Sequence, residues 1–136
     1  MYNFIIVKFF WKKGLIAGLA NLVLGFVLNW LVGMVLPSIA GEYQNTTMFR
    51  PWSDPLMTVY FAYPFILGLV AAYLWDKVGK PKPVEFAKLY FIIATIPGMF
   101  ITYTSFQISL TMVLLWAVTG FVQAWVAAYV FTKVGK

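Results

Sequence analysis

LIAGLANLVLGFVLNWLVGMVL, residues 15–36, decides the class of this chain. It carries no charged residue and matches the length of about 20 residues that an α-helix needs to cross a hydrocarbon core. Three further apolar runs of similar length follow at about 56–75, 86–103 and 108–131. The hydrophobic share of 62% over 136 residues stands against 10% charged residues, and the mean hydropathy is +0.85. So few charges cannot hold that much apolar surface in water. The expected fold is an all-α integral membrane protein, a single transmembrane domain of four helices, each closing its own backbone hydrogen bonds.

Charge sets the expected orientation. Lys8, Lys12 and Lys13 precede the first span, Lys77, Lys80 and Lys82 separate the second and third, and Lys133 and Lys136 follow the fourth. The connector at 37–55 has only Arg50, offset by Glu42 and Asp54. By the positive-inside rule both termini and the middle loop are cytoplasmic, and the 37–55 loop lies outside. The net charge of +6 therefore belongs to helix ends, where anionic lipid headgroups are the expected partners, and not to a basic face for nucleic acid. The same lysines follow the first apolar stretch instead of preceding it, which leaves no cleavable signal and makes the first span an anchor.

Residues 1–13 read in two ways: a short helix lying in the interface with Lys8 and Lys12 one turn apart, or an early start of the first transmembrane helix. In the outer loop, Tyr43, Phe49 and Trp52 are of the type that anchors at headgroups, and Ser53-Asp54-Pro55 is a helix-start signal. Asn45-Thr46-Thr47 has the glycosylation acceptor pattern.

PFILGLVAAYLWDKVGK, residues 64–80, aligns without gaps on residues 120–136, sharing the Phe, Val-Ala-Ala-Tyr and Lys-Val-Gly-Lys elements. Two helical hairpins related by an axis along the membrane normal, a parallel repeat, would produce this pattern. Convergence of two helices that leave the membrane on the same side is the alternative.

Within the first span, Gly14, Gly18, Asn21, Gly25, Asn29 and Gly33 fall in a stripe about 120° wide. Glycines let another backbone approach and Asn amides hydrogen-bond across such a contact, so the stripe reads first as a packing face. Gly68, Ala72, Gly120, Ala124 and Ala128 supply small residues on the second and fourth spans. The sharper reading is a polar path. Asn29 lies about as deep from one boundary as the helix-kinking Pro64 and Pro97, and Asn21, Thr95 and Gln123 form a second layer about 10–14 Å from the other. Each proline frees a carbonyl, at Tyr60 and Ile93. Thr102 and Thr119 satisfy their hydroxyls on their own helices in this reading and receive no role.

With no cysteine and no histidine, thiolate chemistry, disulfides, imidazole-ligated haem and the usual zinc sites are excluded, and no cofactor is expected. No charged residue occupies the middle of a span, where proton relays and charged-substrate sites need one. Asp76 and Glu85 are expected to make surface ion pairs with neighbouring lysines. Small multidrug transporters carry a carboxylate in their first helix that is missing here. Thr102-Tyr103-Thr104-Ser105-Phe106 resembles a run in fluoride channels, but the arginine and asparagine those channels hold in their first two helices are not matched, and neither family is assigned. The expectation is a non-enzymatic accessory or scaffold protein, homo-oligomeric or part of a membrane complex. The alternative is a channel or facilitator for a small neutral solute or ion, lined by Asn21, Asn29, Gln123 and Thr95.

Overall fold

The computed structural model describes the backbone of residues 2–134 and the side chains of residues 11–134; Lys8, Gly135 and Lys136 of the motifs above lie outside those described side chains. Six α-helices carry the chain: α1 (Tyr2–Val35), α2 (Pro37–Glu42), α3 (Tyr63–Lys77), α4 (Pro83–Tyr90), α5 (Ile96–Ser105) and α6 (Leu110–Val134). A 3₁₀ segment (Pro55–Ala62) runs into α3, and a π turn (Phe91–Thr95) joins α4 to α5. Four continuous apolar helices result, Trp11–Val35, Pro55–Lys77, Pro83–Ser105 and Leu110–Val134, each long enough to cross a bilayer. The protein is an all-α polytopic membrane protein with a helical bundle.

α1 has no break at residue 13, so the lysine-bearing start and the first span are one helix. The two prolines act differently. Pro64 stands in the first turn of α3, where a missing N–H costs nothing. The 3₁₀ segment before it lets Tyr63 N–H bond to the Tyr60 carbonyl, so the acceptor that sequence reasoning left without a partner is satisfied. Before Pro97 the chain takes the wider π turn, in which Ile96 N–H reaches the Phe91 carbonyl. α3 ends at Lys77, with Gly79 at φ +88° and Lys80 at φ 57°. There Lys80 N–H reaches back to Trp75 O at 2.9 Å and closes the helix.

α1 packs on α3, α4 packs on α6, and α1 and α3 both meet α6. The main core lies at the lysine-bearing end: Ala17, Ala71, Ala72, Trp75, Phe86, Ala87, Ala124, Ala127, Ala128 and Phe131 are buried together. Gly68 makes the α1–α3 crossing close. A Cβ there would sit 2.3 Å from the Gly14 carbonyl oxygen and 2.8 Å from Gly18 N, so only hydrogen fits. A smaller cluster at the long-loop end joins Ile39 of α2 to Ile108, Met112 and Val113. Glu42 fastens it, accepting from Ser109 N at 2.8 Å and Ser109 Oγ at 2.7 Å, while Ser109 Oγ accepts from Met112 N and caps α6.

Candidate functional site

Between these two clusters the helices spread around a cavity with two adjoining lobes, of about 400 Å³ and about 760 Å³. Asn29 of α1 and Thr119 and Gln123 of α6 border both lobes, as do Tyr60 and Tyr63 at the junction of the 3₁₀ segment with α3. α6 brings its two polar residues together because positions 119 and 123 are one helical turn apart. Asn21 and Gly25 border the smaller lobe, and Thr95 and Gly120 the larger. Thr95 reaches that position from the π turn. Its Oγ1 lies 3.4 Å from where a Gly120 Cβ would stand, so the glycine makes room for the threonine.

Aromatic residues form the rim. Trp116 Nε1 donates to the Tyr43 hydroxyl, and the Trp116 ring meets Phe49 edge-on with centroids 6.4 Å apart. Across the opening, Trp52 lies 5.8 Å from Tyr60 and 6.1 Å from Phe61. Burial pushes the Tyr43 hydroxyl above its ordinary pKa, so it stays protonated, partly opposed by the hydrogen bond from Trp116. Arg50 is the cation at the rim of the larger lobe, and its Nη1 is 3.0 Å from Asp54 Oδ2. Asp54 also accepts from Leu56 N at 2.9 Å. That backbone bond, then Arg50, holds the Asp54 carboxyl below its usual value.

The floor is closed. Asn21, 1% exposed, donates through Nδ2 to the Gln123 carbonyl at 3.3 Å, and its Oδ1 has no partner. Below it, Gly14 and Gly18 meet Gly68 and then the ring pair Trp75–Phe131, with centroids 5.5 Å apart. Lys13 seals that end. Its Nζ is 2.5 Å from Asp76 Oδ1 and 4.9 Å from the centre of the Trp75 ring, and its side chain is 1% exposed. Trp75 Nε1 donates to the Pro81 carbonyl and ties the plug to the following connector.

The residues expected from sequence therefore divide. Asn21, Asn29, Gln123, Thr95 and Pro64 converge on the cavity, whereas Pro97 is exposed on the far side of its helix and borders neither lobe. Of the small residues, Gly14, Gly18, Gly68, Ala72, Ala124 and Ala128 are spent on contacts inside the chain, Gly25 and Gly120 border the cavity, and Gly33 has no neighbour within 4 Å. Two expectations are corrected. Lys13 does not reach for headgroups and Asp76 does not make a surface pair: they bond to each other, because the Trp75 and Phe131 rings pack over Lys13 and bring its ammonium to the Asp76 carboxylate. Glu85 does pair at the surface, with Lys88 at 3.2 Å. Thr119 borders both lobes although it was given no role, while Thr102 bonds to Gly98 O on its own helix as expected. A signal existed for Thr119, its spacing of one turn from Gln123.

Comparison with known proteins finds no matching family model, no matching relative and no matching solved structure.

Proposed function

We propose that this protein is a small membrane facilitator that admits a small solute from outside into a vestibule and releases it when the inner plug opens. The observation that carries the reading is the convergence of Asn29, Thr119 and Gln123 on one cavity, with the tightly packed core lying toward the lysine end. Amides and hydroxyls within a membrane span are expensive unless they meet one another or a solute. Here they line a space instead of filling a contact. Residues facing the cavity replace hydration for whatever passes, the role such groups take in narrow conduits.

In this reading, which follows the positive-inside rule, Lys12, Lys77, Lys80, Lys82 and Lys133 face the cytoplasm against anionic headgroups and the cavity mouth faces outside. The inner plug then comprises the Gly14–Gly68 crossing, the Trp75–Phe131 ring pair and the Lys13–Asp76 bond. A parallel repeat offers a way to open it. Positions aligned by the sequence repeat have the same environments: Gly68, Ala71, Ala72 and Trp75 are buried, as are Ala124, Ala127, Ala128 and Phe131. Lys77 lies over the Tyr73 ring at 5.5 Å and Lys133 over Tyr129 at 5.4 Å. Two hairpins, α1–α3 and α4–α6, would rock about an axis through the Trp75–Phe131 contact. The wall offers amides, hydroxyls and rings, with no paired acid and base, and the reading is non-enzymatic.

Flux into reconstituted liposomes tests this. Gln123→Leu is expected to suppress solute entry at least about tenfold while costing stability only about 0.6 kcal/mol, at most roughly 2, the usual worth of a membrane hydrogen bond. Tight liposomes for every small neutral solute and ion would overturn the proposal. An accessory role keeps one observation in its favour: Gly33 lies open beside Trp30 and Met34, which are 65% and 64% exposed, a notch fit for another helix. Crosslinking at Gly33 to a second copy or another membrane protein would support that role.

A further inference from the structure

The cavity wall also constrains what enters it, and the following step rests on the vestibule reading above. Among the described residues, neither lining includes a carboxylate, and the one cation that borders the cavity, Arg50, is held by Asp54. An anion would find no uncompensated positive charge. A divalent metal cation would find no cluster of carboxylates to replace its water and balance its charge, and the described residues hold no group of three or more His, Cys, Asp or Glu side chains that could hold a metal ion. What the wall does supply is a mixture of donors and acceptors, from Asn29, Gln123, Thr119 and Thr95, facing ring surfaces from Trp52, Tyr60 and Trp116. Asn21 lies beneath this wall with its Oδ1 buried, out of a solute's reach.

We infer that the cavity takes a small neutral polyol, sugar-sized, whose hydroxyl edge meets the Asn29 and Gln123 amides and the Thr119 hydroxyl and whose C–H face lies against the Trp and Tyr rings. Each hydroxyl of a polyol both donates and accepts through one uncharged oxygen, which suits amides presenting both. Aromatic faces take apolar C–H surface without demanding charge. Lobes of about 400 and about 760 Å³ fall within the range of small-molecule sites.

Titration calorimetry of the full chain in nanodiscs tests the assignment, with glucose, myo-inositol and glycerol set against tetramethylammonium and acetate. Binding of glucose or myo-inositol, weakened at least about tenfold by Gln123→Leu, supports it, because a site built to bond hydroxyls loses strongly when its amide goes. Gly25→Leu should abolish binding by filling the smaller lobe, since nothing stands within 4 Å of a Cβ at that position. Gly33→Leu, on the same helix but outside the cavity, should leave binding unchanged. Silence toward all three polyols, a preference for tetramethylammonium or acetate, or binding that survives Gly25→Leu would overturn the inference. Polyol binding without flux would retire the facilitator and keep the ligand class. Flux of a different solute class without polyol binding would do the reverse.

Discussion

Gly14 and Gly25 sit on one stripe of one helix, yet the backbone of Leu69 lies 3.0 Å from a Cβ built at Gly14 and nothing lies within 4 Å of one built at Gly25. The two ends of the bundle use the same kind of residue for opposite purposes. At the lysine end, glycine lets α1 and α3 touch, and alanines and rings fill what remains. At the long-loop end, the 3₁₀ segment packs chiefly on its own continuation α3, α5 has no buried residue, and the space between them stays open. Small residues in a membrane helix are thus ambiguous: they mark either a contact or a cavity wall. The discriminator is what the opposite helix brings, Gly68 in one case and an amide-lined gap in the other.

The largest effect expected from this contrast is at Gly68. Gly68→Val forces side-chain carbon toward the Gly14 carbonyl, which cannot rotate away, so α1 and α3 must part. Stability in detergent should fall by the upper part of about 1–3 kcal/mol or more, the range for overpacking. Gly25→Val should stay within about 0.5 kcal/mol of the parent protein. Equal losses, measured by denaturant titration followed by circular dichroism, would erase the distinction between a tight and an open end.

Next in size is the Lys13–Asp76 bond. Removing one partner of a fully buried pair costs about 3–5 kcal/mol. Asp76 is 30% exposed, which screens the interaction, and about 2 kcal/mol is the expectation for Asp76→Asn. Replacing both at once, Lys13→Met with Asp76→Leu, should recover most of that loss, because a matched apolar pair needs no counter-charge. A double variant as unstable as Asp76→Asn would mean that Lys13 is held by something other than this carboxylate. If the plug is a gate, Asp76→Asn should also raise solute leak, a change that Gly25→Val should not produce.

Much of the architecture is legible in the sequence because length and hydropathy are local properties. The four runs become four spans with ends shifted by a few residues: the second and third lengthen at both ends, from 56–75 to Pro55–Lys77 and from 86–103 to Pro83–Ser105, while the first and fourth become Trp11–Val35 and Leu110–Val134. Pairwise facts were not legible. Lys13 looked like its neighbour Lys12 on paper, and the approach of Asp76, Trp75 and Phe131 from other helices helps take it out of water. Depth counting placed Asn21, Thr95 and Gln123 at one level and did bring together residues that share the cavity. It treated Pro97 like Pro64, because depth along a helix contains no information about azimuth. The freed carbonyl at Tyr60 was a sound inference from an α-helix and was met by a 3₁₀ bond instead.

The smallest effect concerns the open end and separates its rim from its wall. Asp54 starts the 3₁₀ segment, accepting from Leu56 N and pairing with Arg50, and those contacts hold its pKa below the ordinary 3.8. A carboxylate with a depressed folded pKa contributes stability that is fully present above its unfolded value and is lost as pH falls through the folded one. The cap should therefore be indifferent to pH from neutrality down to about 4 and should loosen only in more acid solution. Trp52 reports on it, since its ring rests on Tyr60 and Phe61 in that segment. Acid titration of tryptophan emission should show a transition below pH 3.8 in the parent protein and none in Asp54→Asn, whose amide oxygen still accepts from Leu56 but does not titrate. Because the group is solvent-exposed, the plug at the other end should be unaffected, and the main unfolding transition should not move with it. A rim transition that moved together with global unfolding would show that the open end is part of the same cooperative unit as the tight one.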